Sequence, residues 1–402
     1  YTTLFRSPFQ ILSYEHPKRT YHKGISDYIL SSMEKITKDQ DLYSNSSNTM
    51  TNESIDINEN KEFNESESES KIMDVLYDNK NKKHNIIYFR KSINNNNLYC
   101  ICNNKEVEVY QRGKSNEFKY IKKIDVSKNY LLFKKNNNGY PILRAKYLFC
   151  ELKEENFIFC RYLDNSIKFI LPNIEFKFVL DSFITCIIRI NEKEFITGDN
   201  KGKLCHWFID LDDILNLELK QIKMINSNQN AITSLIYNEQ LNIVISSDNN
   251  TVIIRSFYDF EFLTFFDVGE DENDTIVDIK VSNYDLIYVL INKGNDNYKL
   301  KGYSLNGICF GEYNDKIINF ELTEEGKIIV LLAKIGMINV LNPINFEPIF
   351  YRFIVGSENE NEFLFYHFYY EKPNVIYFGM KDNEGSKIKV CVLDSEEMKL
   401  FI

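Results

Sequence analysis

The sequence has little glycine, proline and histidine, with 15, 7 and 5 residues among 402. It contains no Gly-rich loop of the kind that cradles phosphate groups and no Gly-x-Ser-x-Gly nucleophile motif. The longest apolar stretch, Ile328–Leu341, is interrupted by Lys334 and Asn339 and is too short to span a bilayer. These absences exclude P-loop and α/β-hydrolase motifs, while other hydrolase architectures stay open.

Basic residues are also fewer than acidic ones: 48 Lys and Arg against 58 Asp and Glu give a formal net charge of −10. General nucleic-acid binding needs a concentrated basic face, so no nucleic-acid partner is expected. Cys205 and His206 are adjacent and would point to opposite faces of a strand, so they cannot share a metal. Cys100 and Cys102 share a face but have no second ligand pair. No metal, cofactor, catalytic residue or small-molecule substrate is predicted.

The eight cysteines are scattered singly or in pairs through apolar segments, unlike the dense spacing of a secreted disulfide scaffold. We therefore expect buried free thiols in a cytoplasmic protein.

The chain divides into three regions of different composition. Residues 1–43 carry several aromatics and a helix-like stretch at 26–39. Residues 44–84 are rich in Asn, Ser and Glu and nearly lack aromatics, so their low hydrophobicity predicts a disordered insert. Residues 85–402 alternate short apolar runs with Asn, Asp and Gly turns, which predicts an all-β domain.

A repeated hairpin pattern runs through the third region. Each copy is an apolar strand, a polar turn and a second alternating strand, and Asp164, Asn165, Asp199 and Asp248 occupy three of the turns. The seven copies are residues 98–111, 157–170, 194–209, 242–257, 284–304, 326–342 and 374–394.

An apolar strand precedes several of these hairpins, at residues 183–190, 231–237, 275–281 and 317–323. The repeat length fits four-stranded blades, so we predict a closed seven-bladed β-propeller over 85–402. A strand from the start of this region should complete the last blade and close the ring. A helical segment is predicted at 210–222 between two of the repeats.

The repeat resembles the WD repeat. The stretch TGDNKGKLCHWFID, residues 197–210, is the best copy, with Asp199 as the turn residue and Trp207 as the repeat tryptophan. Trp207 is the only Trp, and no Gly-His pair precedes the repeats. The hydrogen-bond network of Asp, His, Ser and Trp that the resemblance implies is therefore expected to be absent or rare.

The N-terminal segment LFRSPFQILSYEHPKR, residues 4–19, resembles the end of a BEACH domain. The segments LDNSIKF (163–169) and YSLNGICF (303–310) also resemble propellers that follow BEACH domains in beige- and neurobeachin-like proteins. The matching residues of the tail are Pro8, Gln10, Leu12, His16, Pro17 and Arg19.

The resemblance implies a non-catalytic scaffold in vesicle and endolysosomal trafficking, with a BEACH domain upstream of Tyr1. Such a protein would recruit other proteins through the propeller top face or the grooves between blades. It would be cytoplasmic and associate peripherally with intracellular membranes through the upstream part. Two alternatives stay open: a generic WD-repeat subunit of a coat, tethering or RNA-processing complex, and a propeller enzyme.

Overall fold

The structure is a computed structural model, and its propeller lies in one compact unit, Glu69–Ile402. The BEACH-like tail, the predicted helix at 26–39 and most of the acidic segment lie outside the described residues. The described residues are 73–75, 86–92, 97–102, 106–112, 118–125, 149–153, 156–161, 165–170, 175–212, 217–268, 271, 274–294, 297–315, 317–323, 326–332, 337–353, 364–371, 375–381 and 386–392.

These residues form seven four-stranded antiparallel sheets, and six of them are built from four consecutive strands. Sheet 1 contains β2 (Ile86–Lys91), β3 (Asn97–Cys102), β4 (Glu106–Arg112) and β5 (Phe118–Asp125). Sheet 2 contains β6 (Phe149–Lys153), β7 (Asn156–Arg161), β8 (Ser166–Ile170) and β9 (Glu175–Val179). Sheet 3 contains β10 (Ile184–Arg189), β11 (Glu194–Asp199), β12 (Lys203–Ile209) and β13 (Leu219–Asn226).

Sheet 4 contains β14 (Ser234–Asn238), β15 (Ile243–Ser247), β16 (Thr251–Ser256) and β17 (Phe262–Asp267). Sheet 5 contains β18 (Thr275–Val281), β19 (Leu286–Asn292), β20 (Tyr298–Ser304) and β21 (Cys309–Asp315). Sheet 6 contains β22 (Ile317–Leu322), β23 (Ile328–Leu332), β24 (Met337–Leu341) and β25 (Pro348–Phe353). Sheet 7 combines β26 (Leu364–Glu371), β27 (Val375–Lys381) and β28 (Ser386–Val392) with the distant strand β1 (Met73–Val75).

Each sheet packs against the next, and sheet 7 packs against sheet 1 through β26 and β2. Between sheets 1 and 2 the rings of Tyr99 and Phe157 lie 4.8 Å apart, edge to face. The predicted all-β propeller is therefore confirmed. The seven predicted hairpins are the second and third strands of the seven sheets, and the four predicted leading strands correspond to β10, β14, β18 and β22.

Inner strands such as β15 and β19 are buried on both faces, which explains why they read as nearly continuous apolar runs. In sheet 3, Phe195 and Trp207 pack on one side with Phe169 of sheet 2. On the other side, Leu204 packs with Val244 of sheet 4. The core is thus a series of apolar layers between neighbouring sheets rather than one central mass.

Three expectations are corrected by the structure. The closing strand, Met73–Val75, lies inside the segment predicted to be disordered, so the propeller begins before residue 85. The segment predicted as helix at 210–222 overlaps the strand Leu219–Asn226, and no helix occurs within the described ranges. Cys309 is exposed, whereas the other described cysteines with assigned burial are buried and free.

Candidate functional site

Asp199, predicted as a turn residue, organises the tight connection between β11 and β12. Its Oδ1 accepts backbone N–H bonds from Lys201 and Lys203 at 2.8 and 2.7 Å, and its Oδ2 accepts the Ser182 hydroxyl at 2.5 Å. The Trp207 indole Nε1 donates to Thr197 Oγ1 at 2.9 Å. Parts of the WD-type network are therefore present in sheet 3, with a serine bonded to the aspartate.

The other described motif residues also shape turns. Asp248 Oδ1 accepts the backbone N–H groups of Asn250 and Thr251 at 3.3 and 3.0 Å. Asn165 adopts a left-handed φ of 53°, which Asn tolerates well. Asp164 and the BEACH-like residues Pro8, Gln10, Leu12, His16, Pro17 and Arg19 lie outside the described residues. Asp199, Asp248 and Asn165 thus each stabilise a turn of the propeller.

Sheet 4 exposes more large apolar side chains than any other sheet in the described part of the propeller. They lie on its outer strand β17 and on the turn before it, and the two most exposed are Tyr258 at 78% and Phe265 at 57%. Phe262 and Leu263 are also exposed. Clustered exposed apolar side chains mark interaction sites more often than single ones do.

The side chains of β17 divide between the two faces of sheet 4. Phe266 stacks on Tyr303 of sheet 5, with ring centroids 4.8 Å apart. Successive strand residues point to opposite faces, so Phe265 faces sheet 3. The rings of Phe262 and Phe265 lie 6.1 Å apart, and the Arg255 guanidinium lies 5.7 Å from the Phe262 centroid. Aromatic and cationic groups therefore share the side of sheet 4 that faces sheet 3.

Sheet 3 supplies the opposite wall. Ser227 Oγ accepts a hydrogen bond from Arg255 Nε at 3.0 Å across the gap between the sheets. Lys223 Nζ donates to the Asp259 carbonyl and lies 5.8 Å from the Phe260 ring centroid. We call the surface formed by Lys223, Ser227, Arg255, Phe262 and Phe265 the 3/4 groove.

A chain of hydrogen bonds leads inward from Arg255. The Ser227 and Ser246 hydroxyl oxygens are 3.1 Å apart, and Ser246 donates to Asn228 Oδ1 at 2.8 Å. Because the Ser246 proton is used on Asn228, Ser227 donates to Ser246, and every donor in the chain points inward. Asn228 is buried, and its amide nitrogen has no hydrogen-bond partner among the described residues. This series of hydrogen bonds therefore ends at a buried Asn228 amide nitrogen that has no acceptor among the described residues.

Arg255 gives the groove a positive charge that no carboxylate neutralises in the described part of the chain. Lys223 differs, because it acts electrostatically on the nearby Asp259 carboxylate. Burial lowers the pKa of Arg255, yet an arginine stays protonated in proteins. The groove therefore contains one half-buried cation without an ion-pair partner.

A histidine–carboxylate pair lies on the same side of sheet 3. His206 Nε2 is 3.3 Å from Glu194 Oε2, and the His206 ring packs 5.2 Å from Phe257 of sheet 4. Burial lowers the pKa of His206, while the neighbouring Glu194 acts in the opposite direction. Because the imidazole also packs near Phe260, the pair contributes to the contact between sheets 3 and 4.

Two further kinds of site were sought in the part of the chain that the structure describes. No three His, Cys, Asp or Glu side chains there are grouped so that they could hold a metal ion. The same part contains no helix of the length and apolarity needed to cross a membrane.

The fold resembles that of a known propeller protein. The crystal structure of Kluyvelomyces marxianus Hsv2 superimposes with a TM-score of 0.50 at 9% sequence identity. The match covers 78% of this chain and 95% of that chain. No protein-family model and no curated protein matches the sequence. At this identity the likeness establishes the β-propeller fold alone.

Proposed function

We propose that this protein is a non-catalytic scaffold that binds other proteins through its propeller. The single observation that carries the proposal is the group of exposed apolar side chains on sheet 4, which includes Tyr258, Phe262 and Phe265. A rigid ring of sheets presents such a surface without rearrangement, so little entropy is lost when a partner binds. The described groove offers hydrogen-bond donors and aromatic rings, which suit recognition.

The more specific proposal is a role in vesicle and endolysosomal trafficking as part of a larger BEACH-domain protein. It rests on the sequence of residues 4–19 and on the two propeller segments that resemble BEACH-linked proteins. The propeller fold agrees with this role and equally with a generic WD-repeat subunit of another complex. A transcript that encodes a BEACH domain directly upstream of Tyr1 supports the trafficking role, and a different upstream domain contradicts it.

The scaffold proposal is tested with the full chain immobilised and exposed to cell extract. A triple variant, Tyr258→Ser, Phe262→Ser and Phe265→Ser, removes the exposed rings of sheet 4. The control variant, Val179→Ser, Ile308→Ser and Tyr351→Ser, removes three comparably exposed apolar side chains from sheets 2, 5 and 6.

We expect quantitative mass spectrometry to find a discrete set of proteins retained by the wild type and the control but lost from the triple variant. Circular dichroism and thermal unfolding verify that all three chains are folded. Retention of the same proteins by all three chains, or of none by the wild type, contradicts the proposal.

A further inference from the structure

We infer that the 3/4 groove binds an extended peptide that presents a carboxylate beside an aromatic or aliphatic side chain. The inference rests on the scaffold function proposed above and names the class of partner that this surface recognises. Three independent features of the groove lead to it: a cation without an ion-pair partner, exposed aromatic rings and a free strand edge.

The donors indicate an acceptor with negative charge. Arg255 Nε donates to Ser227, and its Nη1 donates to the Phe260 carbonyl at 3.0 Å. Both acceptors are neutral. Lys223 donates to the Asp259 carbonyl and has the Asp259 carboxylate close by, so Arg255 is the cation that lacks a counter-ion. A carboxylate brought into the groove would supply the ion pair that Arg255 lacks, and bonds between two charged groups are the strong ones.

The exposed rings indicate an apolar neighbour of that carboxylate. Phe262 lies beside the Arg255 guanidinium, Phe265 lies next to Phe262, and both rings are exposed. A ligand side chain packed on these two rings would bury apolar surface and exclude water from the ion pair. Water exclusion strengthens the charge interaction, so the apolar and ionic contacts reinforce each other.

The strand order indicates an extended peptide rather than a helix. Strand β17 is the last strand of sheet 4, and its far side pairs with no strand in the described part of the chain. Main-chain groups on such an edge can accept an added strand, while alternate side chains of the peptide enter the neighbouring pocket. The six-residue length of β17 is sufficient for this mode.

The charge balance favours a peptide over a membrane surface. The chain has a formal net charge of −10, which repels anionic lipid. The Arg255 cation beside the Phe262 ring matches one carboxylate, whereas a lipid surface or nucleic acid needs a broad basic face. Anionic vesicles are therefore the competing outcome of the test.

The experiment measures binding of the full chain to arrays of short acetylated peptides. One array alternates Asp or Glu with Phe or Leu; the second replaces each acid with Lys, and the third replaces each apolar residue with Ser. We expect retention on the first array only. Arg255→Gln should weaken binding about tenfold or more, because bonds to charged groups are worth about 1.5–3 kcal/mol and 1.4 kcal/mol is a factor of ten.

Matched controls distinguish binding in the 3/4 groove from nonspecific electrostatic or hydrophobic binding. Lys119→Gln removes one exposed positive charge from β5 of sheet 1, and Tyr351→Ser removes one exposed ring from sheet 6. Both should bind like the wild type, whereas Phe262→Ser should bind as weakly as Arg255→Gln.

Equal binding by the wild type and Arg255→Gln overturns the inference, as does the absence of any preference for the acidic array. Binding to phosphatidylserine vesicles that is lost in Arg255→Gln, with no peptide retained, overturns it in favour of a lipid site. Failure of this inference leaves the scaffold proposal standing if the extract experiment still shows proteins lost from the triple variant. Failure of both experiments removes the scaffold proposal as well.

Discussion

Trp207 combines a large buried ring with one polar atom that needs a partner. Its side chain is 7% exposed and stacks on Phe195 with ring centroids 6.4 Å apart. Thr197 accepts its indole N–H. The prediction from sequence that Trp207 is buried on the third strand of its blade is confirmed, and the residue anchors the contact between sheets 2 and 3.

We expect Trp207→Ala to lower the free energy of unfolding by about 3–5 kcal/mol, because it leaves a cavity at a sheet interface. Trp207→Phe should cost less, since an aromatic ring remains and chiefly the bond to Thr197 is lost, worth about 1 kcal/mol. Urea unfolding followed by circular dichroism measures both, because the substitution removes the only Trp fluorophore. A loss below about 1 kcal/mol for the alanine variant would contradict the packing role.

At the scale of the strand, β1 is the shortest element and completes sheet 7. Met73 pairs with Val390, Asp74 with Lys389 and Val75 with Ile388. Three residues thus cover the outer edge of β28 and join the two ends of the propeller. They belong to a short, mostly apolar run, residues 72–77, inside a long polar segment, so the pairing depends on the partner strand.

Deleting Met73–Val75 should lower the thermal unfolding temperature and speed hydrogen exchange in β28, because that strand then loses its outer partner. Deleting Glu65–Glu67 removes the same number of residues from the acidic segment and should leave both quantities unchanged. Hydrogen exchange followed by mass spectrometry on the full chain resolves the two variants. Equal protection of β28 in both would show that β1 adds nothing to closure.

The inner strands and hairpins could be predicted because buried strands leave a strong signal. They are apolar runs separated by Asp, Asn or Gly turns, as at Asp199 and Asp248. The outer strands leave a weaker sequence signal. Most residues of β13 are exposed, and the spacing of apolar residues near it also fits a helix. The closing strand was predicted, but at the start of 85–402 rather than at Met73–Val75, because the short apolar run 72–77 lies inside a long polar segment.

The 3/4 groove could not be predicted, because its residues are distributed over three elements and a connection. Lys223 lies on β13, Arg255 on β16, and Ser227 and Asn228 follow β13. Only the packing of sheet 3 against sheet 4 brings them together. The exposed aromatics of FLTFFD, residues 262–267, were the one available signal, and in the sequence they resemble core residues.

At the scale of the whole molecule, an ionic cluster joins the first and last sheets of the ring. Glu371 of β26 contacts Lys91 of β2, and its Oε2 lies 3.2 Å from Arg112 Nη1. Tyr377 donates to the same carboxylate. Burial, followed by the neighbouring Glu371, raises the pKa of Tyr377, so its hydroxyl stays protonated as a donor. Glu371 therefore links sheets 1 and 7 next to the closing strand.

Glu371→Gln should destabilise the protein by about 1–3 kcal/mol, because two half-buried cations lose their anion. Glu218→Gln is the matched control: it breaks the ion pair with Lys220, in which both side chains are largely exposed. That change should cost below about 1 kcal/mol. Thermal unfolding compares them, and equal losses would show that the cluster holds the ring no more firmly than a surface pair does.

The pairing of β1 with β28 also determines when the protein can finish folding. During synthesis β1 emerges before all the other described strands, whereas its partner emerges after every other strand has left the ribosome. Six sheets can assemble from consecutive strands as they appear, but sheet 7 is incomplete until β28 has been synthesised and can pair with β1. Contacts this distant in sequence form slowly, and unpaired edges associate with other chains. A ribosome that stalls before residue 386 therefore releases an open arc of sheets, with β1 unpaired at one end.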